Sequence, residues 1–136
     1  MKVYSFGAEH APVILLLPGT CCHWKGNFGR VIPLLADSYR VLCISYDGFD
    51  ETEHTEFPTI LEETEKIETY IQEHSGGHIR AAYGCSLGGS LYYRVVVIRA
   101  PLQGLCYTVR DAVDWLAAPT TRWFTKGSNH SPLQFC

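Results

Sequence analysis

The chain has 136 residues, 46% of them hydrophobic and 18% charged, which describes a globular chain of one domain at most. A formal net charge of -3 gives neither nucleic acid nor an anionic membrane a reason to bind, so neither is expected as a partner. Six cysteines (Cys21, Cys22, Cys43, Cys85, Cys106, Cys136) would suit a disulfide framework only in a small secreted protein, and no export signal precedes them.

In chain order, "KVYSF" (2 to 6) alternates and is rich in β-branched and aromatic residues, which predicts an edge strand. "VILLL" (13 to 17) and "RVLCISY" (40 to 46) do not alternate. Continuous apolar runs of this length bounded by Pro and Gly mark strands covered on both faces, and neither run is long enough to span a bilayer. A cytoplasmic location with reduced thiols is therefore expected. "CCH" (21 to 23) lacks a second ligand pair at finger spacing, so no metal and no cofactor is expected.

"NFGRVIPLLADS" (27 to 38) places Phe28, Val31, Ile32 and Leu35 at helical spacing, with Gly29 and Pro33 making the helix short or irregular. Residues 58 to 75 predict a full helix, with Ile60, Thr64, Ile67, Ile71 and His74 on the buried face and the glutamates on a solvated one. Thr59 and Glu62 stand at capping-box spacing, and Gly76 and Gly77 supply the stop. "HIRAAYG" (78 to 84) returns as a strand. The alternation predicts an α/β fold with a mostly parallel sheet and helices on both faces. Its ligand site then lies at the carboxyl ends of the strands, where the loops "PGTCCHW" and "GCSLGG" become spatial neighbours.

"YGCSLGGS" (83 to 90) holds Ser86 between Gly84 and Gly88. A serine hydroxyl needs a base for its proton and donors for the oxygen of the tetrahedral intermediate. A sharp strand-to-helix turn lifts the hydroxyl clear and aims amides of the helix N-terminus at the developing charge. Strand and helix then come so close that the positions two before and two after the serine have no room for side chains.

"VILLLPGTCCHW", "VLCISYDGFDETE" and "AAYGCSLGGS", in this order, resemble the front half of the α/β-hydrolase fold, in particular bacterial esterases and lipases. The resemblance covers residues 1 to about 90. It implies Ser86 as nucleophile on a small-molecule acyl substrate, with the Leu87 N–H as one oxyanion donor and the Thr20 N–H as the other, Cys21 being the next candidate. Pro18-Gly19 stands where the family often has His-Gly, a departure that a backbone donor tolerates. Asp47-Gly48 reads as a turn, because the family's acid comes later. Cys85 reads as a small buried neighbour of the nucleophile. His23 and Trp24 read as candidates to line the acyl pocket, the family's histidine arriving last in the chain.

Residues 87–136 are too few for the further strands that normally deliver an acid and then a histidine. Composition also changes near residue 90. Six Lys and Arg against twelve Asp and Glu leave -6 over residues 1–90, whereas five against two leave +3 over 91–136. Two explanations compete. In a compact variant, "VVVIRA" and "LCYTV" are later strands, Asp111 or Asp114 is the acid, and His130 in "KGSNHSP" is the base. In the other, which the change of composition favours, the reading frame is disrupted near residue 91. Residues 1–90 are then the hydrolase half, 91–136 are divergent sequence, and the chain is an inactive fragment that at most binds a ligand.

Overall fold

The computed structural model describes residues 1–98 and 107–109, with the side chains of residues 1–92. Among the described residues five strands form one sheet: β1 (Lys2–Phe6), β2 (Val13–Leu17), β3 (Arg40–Ser45), β4 (Ala81–Cys85) and β5 (Tyr107–Val109). They lie in the order β1-β3-β2-β4-β5, with β1 antiparallel to β3 and every other pair parallel. The chain steps outward from β2 to β3, then crosses back over β2 to β4.

The unbroken apolar runs follow from burial on both faces. Leu15 and Leu17 of β2 and Leu42 and Ile44 of β3 face one core, shared with Ile67, Ile71, Ile79, Leu91 and Tyr92. The intervening Leu16, Val41 and Cys43 face another, filled by Trp24, Phe28 and Ile32. Because successive strand residues point to opposite faces, both layers require apolar side chains and no alternation survives.

The second core is covered by two five-residue helices, α1 (Trp24–Phe28) and α2 (Ile32–Ala36), where the sequence predicts one irregular helix. His23 caps α1 by accepting from the Lys25 N–H. Pro33 sits in the first turn of α2, where its missing N–H costs nothing. On the other face α3 (Ile60–Ser75) carries the expected capping box of Thr59 and Glu62, and ends on Gly76 in the left-handed region.

Two expectations need correction. Along α3 the buried residues are Glu63, Thr64, Ile67 and Ile71, while Ile60 is 40% exposed and His74 is exposed. The helix is rotated so that Glu63, expected in solvent, reaches the end of β3. The second correction concerns α4 (Leu87–Ile98), a helix that includes the "VVVI" read as a later strand. Valine and isoleucine lose only about 0.5 kcal/mol of helix propensity against alanine. The turn at Ser86 starts the helical ladder, with Gly89 and Ser90 amides donating to its carbonyl, and Leu91 and Tyr92 bury against the sheet. Tertiary contact therefore outweighs the weak local preference. The helix runs across residue 90, and β5 lies within "LCYTV", pairing in parallel with β4.

Candidate active site

Strands β2 and β4 are parallel neighbours with Leu17 opposite Gly84, so the loops that follow them leave the same edge of the sheet side by side. A Cβ added to Gly84 would lie 2.3 Å from the Gly88 carbonyl oxygen, and one added to Gly88 would lie 2.1 Å from the Leu17 carbonyl oxygen. Both glycines are there for want of space, and neither has a positive φ. Ser86 has φ 50, the left-handed region. The backbone conformation that favours glycine is thus imposed on the serine, a strain of about 1–3 kcal/mol that the surrounding close contacts hold in place.

The loop after β2 lies against this turn. A Cβ added to Gly19 would stand 3.7 Å from the Ser86 Cβ and 3.7 Å from the Cys85 carbonyl oxygen. Gly19 donates its N–H to Asn27 Oδ1 at 2.9 Å, and the Pro18 carbonyl accepts from the buried Tyr46 hydroxyl at 3.0 Å. The Cys22 N–H donates back to the Gly19 carbonyl at 3.3 Å, closing a turn in which Cys21 has φ 54. Thr20 and Cys21 are exposed on it. Leu87, first residue of α4, carries an amide with no acceptor inside the helix.

Other expected residues take structural places. Trp24 is 8% exposed and packs on Tyr4 and Phe6, with ring centroids 4.9 and 5.2 Å away. It belongs to the core. His23 serves as the cap of α1 with its ring 6.4 Å from Tyr4. Cys85 is half-buried. Asp111, Asp114 and His130 lie outside the described residues. Among the described residues no three of His, Cys, Asp and Glu are placed to hold a metal ion.

Asp47 does more than open a turn. It is buried and paired with the Met1 ammonium and with Lys66, and its own N–H donates to Glu63 Oε1 at 3.0 Å. Burial pushes the Asp47 carboxyl up, but hydrogen bonds from Lys66 and from the N-terminus outweigh it and leave the group below its ordinary range. Burial raises Glu63, whose Oε2 is 3.6 Å from Lys66 Nζ. Burial also drives the Tyr46 hydroxyl upward, so it stays protonated and donates, and pushes the Cys43 thiol up to about 12. An open groove of about 510 Å³ beside α3 is lined by Met1, Pro58, Glu62, Glu65, Lys66 and Tyr70 among others, and by no residue of the Ser86 turn.

Sequence reasoning missed Tyr46, Asn27 and Glu63. Tyr46 had one available signal, an aromatic hydroxyl directly after the mostly apolar run of β3.

No protein-family profile and no curated protein matches the chain. Solved structures do. An alpha/beta hydrolase family protein from Desulfitobacterium hafniense is 26% identical with a TM-score of 0.71, over 79% of this chain and 43% of that one. A lipase-esterase related protein from Clostridium acetobutylicum is 20% identical with a TM-score of 0.62, over 77% and 45%. A 1H-3-hydroxy-4-oxoquinoline 2,4-dioxygenase is 25% identical with a TM-score of 0.59, over 68% and 35%. The chain thus spans less than half the length of each, and one of the three names a different chemistry, so the shared fold alone does not assign an activity. From β1 through the strand-turn-helix at Ser86, the chain has the α/β-hydrolase fold, with a mostly parallel sheet between helices.

Proposed function

We propose that the chain carries the nucleophile half of an acyl hydrolase. The observation that carries this reading is Ser86 at φ 50 between a strand and a helix, with Gly84 and Gly88 in contacts too close for any side chain. Nothing in packing asks for a serine in that conformation, whereas a nucleophile presented above a sheet does.

In this reading the Ser86 oxygen attacks the carbonyl carbon of a small ester, thioester or amide as its proton passes to a base. The oxyanion is held by the amides of Leu87 and Thr20. Collapse expels the alcohol, thiol or amine with that proton, and water then releases the acid by the same steps and frees the serine. The base proposed is His130, oriented by Asp111 or Asp114. No cofactor or metal takes part. A reducing cytoplasm is the proposed location, supported by free thiols at Cys21, Cys22, Cys43 and Cys85, and no described helix is long and apolar enough to cross a membrane.

A fluorophosphonate probe tests the reading. Labelling is expected at Ser86, lost in Ser86→Ala, and reduced at least a hundredfold in His130→Ala, since a serine without its base loses several orders of magnitude. Labelling of Ser86 that His130→Ala leaves intact would remove His130 as base. A folded chain that takes no probe would instead support the rival reading, in which residues 91–136 are divergent sequence and the turn is a relic.

A further inference from the structure

We infer that Tyr46 and Asn27 are positioning residues that together fix one peptide unit, Pro18–Gly19, and through it aim the Thr20 amide at the oxyanion. The inference rests on the acyl-hydrolase reading above. The carbonyl of that unit accepts from Tyr46 Oη at 3.0 Å, and its N–H donates to Asn27 Oδ1 at 2.9 Å. A planar unit held at both its oxygen and its hydrogen cannot rotate about the flanking single bonds without breaking one of the two.

The consequence passes to the next unit. Its carbonyl, that of Gly19, faces the Cys22 N–H at 3.3 Å. In a trans peptide the N–H points opposite to the C=O, so the Thr20 N–H is directed to the other side of the loop. The Gly19 amide is already engaged by Asn27, which leaves Thr20 as the first amide of the loop outside these bonds. The same clamped carbonyl lies 2.7 Å from where a Cβ on Gly88 would stand. The plate that sets Thr20 is therefore pressed against the first turn of α4, which carries the other donor.

Tyr46 is too deeply buried to touch substrate, and Asn27 acts on the loop through the Gly19 N–H. Tyr46 is 1% exposed, with its ring edge-on to Phe49 and Phe57 at 5.9 and 6.2 Å. Burial keeps its hydroxyl protonated, so the clamp does not titrate in the working range. Asn27 comes from the exposed side of α1, so the two holds arrive from opposite layers of the sheet.

The test uses the full chain with Tyr46→Phe, which keeps the ring contacts, and Asn27→Ala at an exposed position, each checked for native circular dichroism. Three readouts are taken: kcat and KM for p-nitrophenyl acetate, the fluorophosphonate labelling rate of Ser86, and hydrogen exchange of the Gly19 amide. Each variant should lower kcat and the labelling rate about tenfold with KM within about twofold, because a misaimed donor weakens transition-state binding alone. The double variant should lose less than the product of the two, since both act on one unit. Gly19 exchange should be slow in the wild type and faster in Asn27→Ala. A labelled wild type whose two variants keep its kcat and labelling rate overturns the clamp and leaves the hydrolase reading standing. A wild type with protected Gly19 that takes no probe and turns over no ester overturns the hydrolase reading, and the catalytic role of the clamp with it.

Discussion

At position 86 the backbone conformation suits glycine and the chain supplies serine, whereas at 84 and 88 the backbone suits any residue and the chain supplies glycine. Space and torsion are separate demands, and they can be separated by mutation. Ser86→Gly relieves the left-handed strain and is expected to raise thermal stability by about 1 kcal/mol while abolishing probe labelling. Calorimetry beside the labelling assay checks it, and a lowered melting temperature would refute the strain. Gly88→Ala puts a methyl 2.1 Å from the Leu17 carbonyl oxygen. Because the obstacle is backbone, a loss of about 3 kcal/mol or more is expected, at the severe end of single substitutions. Tyr46→Phe should cost about 1–3 kcal/mol, the penalty of leaving the buried Pro18 carbonyl without a donor. Urea midpoints would show it.

Among elements, the end of β3 concentrates the charge chemistry. Asp50 is 4% exposed and accepts from the Tyr4 hydroxyl at 2.7 Å and from the Thr52 N–H at 2.9 Å. Burial pushes its carboxyl up, but the Thr52 and Tyr4 hydrogen bonds outweigh that and hold it well below the usual range. Asp47 is displaced the same way. In the unfolded chain both groups bind protons more readily, so the stability they supply is complete above about pH 5 and is lost as pH falls through and below about 4. Glu63 has the opposite sign, since its raised pKa favours the folded state in acid and that contribution disappears as pH rises. Urea midpoints measured between pH 3 and 6 should fall toward acid, and Asp50→Asn should flatten that limb; an unchanged slope would show that Asp50 is not responsible. The sequence displayed the helix that carries Glu63 and the strand that precedes Asp47. It could not display their meeting, because a carboxylate on a glutamate-rich helix looks solvated until the strand it packs against is known. The β-branched run of α4 was opaque for a related reason, as packing outweighed a small local preference. Apolar runs covered on both faces, and the glycines around Ser86, were readable because each leaves a pattern local to a few residues.

At the scale of the molecule, the described residues form one sheet between two apolar layers, and adjacent residues of a single strand serve both. Val41 and Leu42 are fully buried in opposite cores. Leu42→Ala should cost about 2–5 kcal/mol. Val41→Ala should shift the same single transition, with far-ultraviolet dichroism and fluorescence midpoints coinciding in both variants. Separate midpoints for the two layers would contradict this. The crossing of β4 back over β2 also orders events in time. Leu17 pairs with Gly84, so the halves of the candidate site come from nearly opposite ends of the described chain, and such distant pairing is slow to close. Pulses of fluorophosphonate during refolding should therefore find Ser86 reactive only after helical signal has recovered. Reactivity at that serine then works as a clock for the last long-range pairing in the fold.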